Sequence, residues 1–222
     1  LPRRVAEAGL GPPAVTIVGR VVSLRQTINW FETRPLFGQT IVVTRTRQQA
    51  SGLSERLAEL GANVIEAPTI ELMVPADWTA VDEVLKSIAA FDWIVFTSQN
   101  GVQFTRQRLT ELGLDARAFG GAKLAAIGDS TARAIREKLF LSVDLCPQSF
   151  VAEALADEFA ARNAVRGRRF LLLRADIARP LLRERLLADG AAEVRDVAVY
   201  ETKPSDALPG ELLDALEKKQ VN

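Results

Sequence analysis

The chain has 222 residues, 48% of them hydrophobic and 25% charged, enough apolar material for one large core or two small ones and too much for a disordered chain. Lysine plus arginine and aspartate plus glutamate number 28 each, so no net field draws the protein to nucleic acid or an anionic membrane, and an anionic ligand needs a local site. With no histidine and one cysteine, Cys146, the usual zinc, iron-sulfur and haem ligand sets and every histidine-based triad are excluded, and the thiol reads as a small buried hydrophobe.

The charged start Leu1-Pro2-Arg3-Arg4 leads to Glu7 and a proline pair instead of a signal-peptide core. No later apolar run approaches the ~20 residues of a membrane span, so the chain reads as cytoplasmic, and because position 1 is leucine it need not begin at a natural start. Pro12 to Gly19 predicts a strand after a proline break, and Val21 to Phe31 a short amphipathic helix. These first residues read as the tail of something else, or as an extra edge strand.

From Gln39 onward short β-branched runs alternate with amphipathic stretches of helical length, the pattern of parallel α/β sheets. Strands are predicted at Thr40 to Thr44, Asn63 to Ala67, Trp93 to Thr97, Lys123 to Ile127, Ser142 to Leu145, Phe170 to Arg174 and Val194 to Tyr200. Helices are predicted at Gln48 to Leu60, Trp78 to Ala89, Gly101 to Leu112, Thr131 to Lys138, Val151 to Arg162, Ala178 to Asp189 and Gly210 to Gln220. Gly61, Gly113 and Gly190 stand where a left-handed cap closes a helix. The proline-flanked stretches Pro68 to Pro75 and Tyr200 to Pro209 mark two breaks. Between them lies a complete doubly wound set of strands and helices, whereas the flanking pieces supply an incomplete one.

In such sheets ligands bind beyond the carboxyl ends of the strands, where helix-start N–H groups can receive anions. Two junctions draw attention: Phe96-Thr97-Ser98-Gln99-Asn100-Gly101-Val102, in which Ser98 or Asn100 could equally be a plain helix cap, and Ile127-Gly128-Asp129-Ser130-Thr131-Ala132. Arg174 could clamp a carboxylate or pair with Asp176 or Glu184. Tyr200, the sole tyrosine, could pack as strand aromatics do or donate a proton to a leaving group. No Walker loop or dinucleotide fingerprint occurs, so a nucleotide cofactor is not indicated.

With Val43-Thr44-Arg45 and Val199-Tyr200-Glu201-Thr202, these two junctions form an ordered set that resembles uroporphyrinogen-III synthase from Gly38 to Asn222. Pro12-Pro13-Ala14-Val15-Thr16-Ile17-Val18-Gly19-Arg20-Val21-Val22-Ser23-Leu24-Arg25 looks like the carboxyl end of uroporphyrinogen-III C-methyltransferase. The resemblance implies a bilobed fold of two similar doubly wound parallel-sheet domains joined by a two-stranded connector. Residues 1–37 would be the methyltransferase tail, 38–73 with 201–222 an incomplete first lobe, and 74–200 the second lobe. It also implies a cofactor-free, monomeric synthase that closes hydroxymethylbilane, a linear tetrapyrrole, with inversion of ring D and loss of water. Tyr200 would assist hydroxyl departure, while Thr97, Ser98, Asn100, Gly101, Gly128, Ser130, Thr131 and Arg174 would bind substrate. The family pattern continues with a strand and a hydroxyl-rich turn beyond Asn222, so this piece alone is expected to be poorly stable or inactive. A two-lobed binding protein for a small anion is the competing reading, since the same lobes would serve it.

Overall fold

The computed structural model describes residues 2–9, 11 and 15–221. The chain divides into two compact units, one of residues 1–69 with 207–222 and the other of residues 70–206. Among the described residues no helix is long and apolar enough to cross a membrane.

The first unit opens with α1 (Pro2–Glu7), a 3-10 turn at Arg20–Leu24 and α2 (Arg25–Ile28). The strand expected at Pro12 to Gly19 is not formed where it can be seen: Pro12, Pro13 and Ala14 lie outside the described residues, and residues 15–18 have no regular structure. Val15, Ile17 and Val18 are exposed, so no sheet neighbour rewards an extended backbone there. The helix expected over Val21 to Phe31 is likewise cut to a 3-10 turn and one α-turn, neither of which buries a residue. Burial of an apolar face is what sustains helices this short.

Next come β1 (Thr40–Val43), α3 (Arg47–Glu59) and β2 (Asn63–Glu66), with the two strands parallel and in register from Thr40 opposite Asn63. The last helix of the chain, α9 (Gly210–Glu217), belongs to this unit and buries Leu212 and Ala215 against Ile65 and Ala67. Beyond it Val221 forms a parallel bridge to Thr40.

The second unit contains β3 (Ile70–Met73), α4 (Thr79–Lys86), β4 (Trp93–Phe96), α5 (Gln99–Glu111), β5 (Lys123–Ala126), α6 (Asp129–Leu139), α7 (Ala152–Ala161), β6 (Arg169–Ala175), α8 (Leu181–Ala188) and β7 (Glu193–Pro204). Its sheet has the order β3-β7-β6-β4-β5, with β4, β5, β6 and β7 parallel and β3 antiparallel on β7. Side chains alternate between faces as a pleat requires. Ile94, Phe96, Leu124, Ala126, Leu171 and Leu173 pack under α4, α5 and α6, whereas Trp93, Val95, Ala125, Phe170 and Leu172 pack under α7 and α8. Covered on both faces, β4 is buried at all four positions, which is why it reads as an unbroken apolar run.

The α/β class and the parallel-dominated sheets agree with the sequence reading, and Gly61, Gly113 and Gly190 all take positive φ after their helices. One strand is missing: Ser142 to Leu145 makes only an isolated bridge between Ala125 and Leu145. The cause is local, because the Asp144 carboxylate accepts the Leu124 N–H at 2.8 Å, in place of a ladder carbonyl. Conversely, β7 runs four residues beyond its predicted end at Tyr200, because residues 201–204 pair with β3.

Candidate functional site

In the second unit the chain passes from β4 to β5 on one side and then back across β4 to β6 on the other. The sheet therefore has its topological switch point between β4 and β6, and the crevice at their carboxyl ends is the default ligand position of such folds. The turn Thr97–Ser98 leaves β4 at this point.

Ser98 caps α5: its backbone is extended at φ −158 and ψ 153, and its Oγ accepts the Gly101 N–H at 2.9 Å. The turn is pressed close to β6, since a Cβ on Gly101 would stand 2.9 Å from the Leu173 carbonyl oxygen. The same Ser98 Oγ lies 3.0 Å from Tyr200 Oη. Two residues singled out separately are thus brought together, and the capping and functional readings of Ser98 are compatible.

Tyr200 reaches Ser98 because β7 is irregular. Arg174 pairs with Ala198 but Ala175 pairs with Tyr200, so Val199 is an extra residue in β7. Plain alternation would send Tyr200 to the face of Val194, opposite to Val197 and Val199. The extra residue turns it to the Val197 face, where it joins the core under α5. There its ring stacks on Phe104, with centroids 5.3 Å apart and planes 18° apart. Tyr200 is only 6% exposed. Its main-chain oxygen accepts the Asp176 N–H, and the Asp176 carboxylate accepts the Thr202 N–H, which fixes the strand on either side of the phenol.

The other candidates occupy different situations. Thr97 and Asn100 are half-buried beside Ser98. At the second junction Gly128 is the N-cap of α6 and supplies no side-chain cap, Ser130 is exposed and Thr131 is buried. Gly128 makes room for Phe150, since a Cβ on it would stand 2.8 Å from that ring. The Gly101 and Ala132 amides are already engaged, by Ser98 Oγ and by the Gly128 carbonyl, and so do not count among the available anion donors.

Arg174 corrects the alternatives set out for it. Its partner is neither Asp176 nor Glu184 but Asp196 on the adjacent strand, which it meets through both Nε and a terminal nitrogen, and its third contact is the Arg179 carbonyl. The Arg174 side chain is 6% exposed, whereas that of Asp196 keeps 23% of its surface. Two participants, Asp196 and Phe104, were not singled out from the sequence. Phe104 follows Gly101 by three positions on α5, a same-face spacing that could have identified it. Asp196 had no such signal, because its contact depends on the register of β6 and β7. Burial, with the Asp129 carboxylate adding to it, pushes the Cys146 thiol up, which leaves little thiolate at neutral pH.

A family model described as uroporphyrinogen-III synthase HemD matches residues 51–222. The chain belongs to the uroporphyrinogen-III synthase family. It is 33% identical over 190 residues to uroporphyrinogen-III synthase of Synechococcus elongatus, an alignment covering 85% of this chain and 70% of that protein. It is 35% identical over 162 residues to porphyrin biosynthesis protein HemD of Ruminiclostridium josui, covering 73% of this chain but only 32% of that longer protein. Among solved structures, a uroporphyrinogen III synthase mutant of Thermus thermophilus aligns over 82% of this chain and 70% of its own, with TM-score 0.58 and 19% identity, a likeness of fold. The residues gathered at the switch point, Ser98, Gly101 and Tyr200, all fall within the segment matched to the uroporphyrinogen-III synthase family.

Proposed function

We propose that this chain is the uroporphyrinogen-III synthase part of a larger tetrapyrrole protein and closes hydroxymethylbilane to uroporphyrinogen III, inverting ring D and releasing water. The observation that carries this reading is the Tyr200 hydroxyl held beside Ser98 next to the sheet's switch point. In the proposed reaction the phenol lends a proton to the terminal hydroxyl of the substrate, which leaves as water. Ring closure then returns one proton from the attacked pyrrole carbon, so the phenol is restored and no external reagent is consumed. Holding a flexible polycarboxylate in one folded arrangement is the remainder of the task, an orientation effect. For that role we propose Thr97 and Asn100 at the first junction, and the Ser130 hydroxyl with the first-turn amides of Ser130 and Thr131 at the second.

The proposed architecture is bilobed, with the antiparallel pair β3 and β7 as the two-stranded connector. Its support is the position of that pair at the limits of the second unit, Ile70–Met73 against Glu201–Pro204. Residues 1–37 are proposed to be the tail of a fused methyltransferase, on the strength of Pro12 to Arg25, which precede the segment matched by the family model. The test is to supply the full-length protein with freshly generated hydroxymethylbilane and to separate the uroporphyrin isomers after oxidation. Predominant type III supports the reading; type I alone, at the rate of spontaneous closure, refutes it.

A further inference from the structure

We infer that Ser98 is a positioning residue for the Tyr200 phenol: its hydroxyl donates to Tyr200 Oη, so that the phenol's own proton is left to be given away. This rests on the proposed role of Tyr200 as proton donor. The 3.0 Å contact alone permits either direction, since each oxygen can donate or accept. Three features of the site favour donation by Ser98. Its Oγ already accepts the Gly101 N–H, and an accepted hydrogen bond polarises the hydroxyl and strengthens it as a donor. It sits at the N-terminus of a 13-residue helix, where the positive end of the helix dipole favours electron density on the neighbouring phenol oxygen. The Tyr200 ring is held by its stack on Phe104 and by the extra residue in β7, so rotation about the C–O bond is the freedom left to the hydroxyl. Ser98 decides that rotation. A phenol donating to Ser98 would have its proton turned away from a substrate.

In the full-length protein the Raman doublet of Tyr200 is isolated as the difference between spectra recorded with and without Tyr200→Phe. Its ratio should be that of a phenol whose oxygen accepts a strong hydrogen bond. It should fall in Ser98→Ala and in Ser98→Asp, and should be kept in Ser98→Thr. The aspartate variant separates this role from capping, because an ionised carboxylate caps a helix but has no proton to donate. In the full-length protein Ser98→Asp should lower kcat roughly tenfold with KM little changed, Ser98→Thr should restore it, and neither change should add to the loss in Tyr200→Phe. A donor-type doublet in the unsubstituted protein, or a doublet that Ser98→Asp leaves unmoved, overturns the inference even if the protein proves to have no synthase activity. An equal further loss on adding Ser98→Asp to Tyr200→Phe overturns it even if the activity is confirmed.

Discussion

Gly101, in the first turn of α5, approaches the Leu173 carbonyl oxygen of β6 so closely that a methyl group there would stand 2.9 Å away. The opposing atom belongs to the backbone of β6 within its buried stretch, residues 170–174, and cannot yield as a flexible side chain would. This approach sets the Ser98 turn against β6, next to the strand that carries Tyr200.

Gly101→Ala is therefore expected to destabilise the protein by about 1–3 kcal/mol, as overpacking does, and to lengthen the Ser98–Tyr200 contact. Chemical denaturation would measure the first effect. The Tyr200 Raman doublet, moving in the direction expected for loss of Ser98, would report the second.

Arg174 is buried and meets Asp196 through two nitrogens, whereas the Asp196 side chain keeps 23% of its surface, so removing Asp196 leaves a buried guanidinium without its carboxylate. Asp196→Ala should cost about 1–2 kcal/mol, less than for a fully buried pair because water reaches the carboxylate, whereas the double replacement Arg174→Met with Asp196→Ala should recover part of that loss by removing the buried charge as well. If Arg174 instead clamped a substrate carboxylate, Arg174→Lys would raise KM while leaving the denaturation midpoint unchanged. The expected result is the opposite: a lowered midpoint and little specific effect on KM.

Several carboxylates are held below their ordinary range in the folded protein. Asp92 is lowered chiefly by the Arg169 backbone N–H, with the Arg168 guanidinium assisting. Asp82 is lowered chiefly by its hydrogen bond to Arg108. A depressed folded pKa means that the unfolded chain binds protons more readily, so the stabilisation is complete above the ordinary carboxylate pKa near 4 and is lost as pH falls through the lower folded value. Thermal midpoints should be level from about pH 6 to 5 and decline below about pH 4. Asp92→Asn should lower the neutral midpoint and flatten the acid decline; an unchanged decline would show that this carboxylate contributes nothing to it.

The regular parts of the second unit were legible because its strands are buried on both faces and its helices carry their own stops. Trp93 to Phe96 and Phe170 to Leu173 are apolar without interruption, and Gly113 and Gly190 close the helices before the next elements. What was not legible depends on partners distant in sequence. The false strand at Ser142 to Leu145 has the right residue types, but the Asp144 carboxylate takes the ladder donor. Pro12 to Phe31 has a strand-then-helix pattern, but among the described residues Val15, Val18 and Ile28 are exposed.

The candidate site was legible residue by residue but not as an arrangement. Ser98 and Tyr200 were both singled out, one as cap or binder and the other as packing or acid. Their contact spans 102 residues and requires the extra residue Val199, which no local pattern announces, since Val199 and Tyr200 look like any two strand residues. Arg174 shows the reverse. A cation at a strand end suggested either a ligand or a neighbouring carboxylate, and strand register supplies Asp196 as the carboxylate it pairs with.

The proposed role of the Tyr200 hydroxyl, assisting departure of the substrate's terminal hydroxyl, is checked by Tyr200→Phe in the full-length protein. Single-turnover reactions with hydroxymethylbilane would be quenched over time and the type I and type III isomers separated. Type III formation should slow by roughly 10²-fold, with type I from spontaneous closure making up the difference, while the denaturation midpoint changes little. Type III formation at the unsubstituted rate in a folded Tyr200→Phe protein would contradict that role.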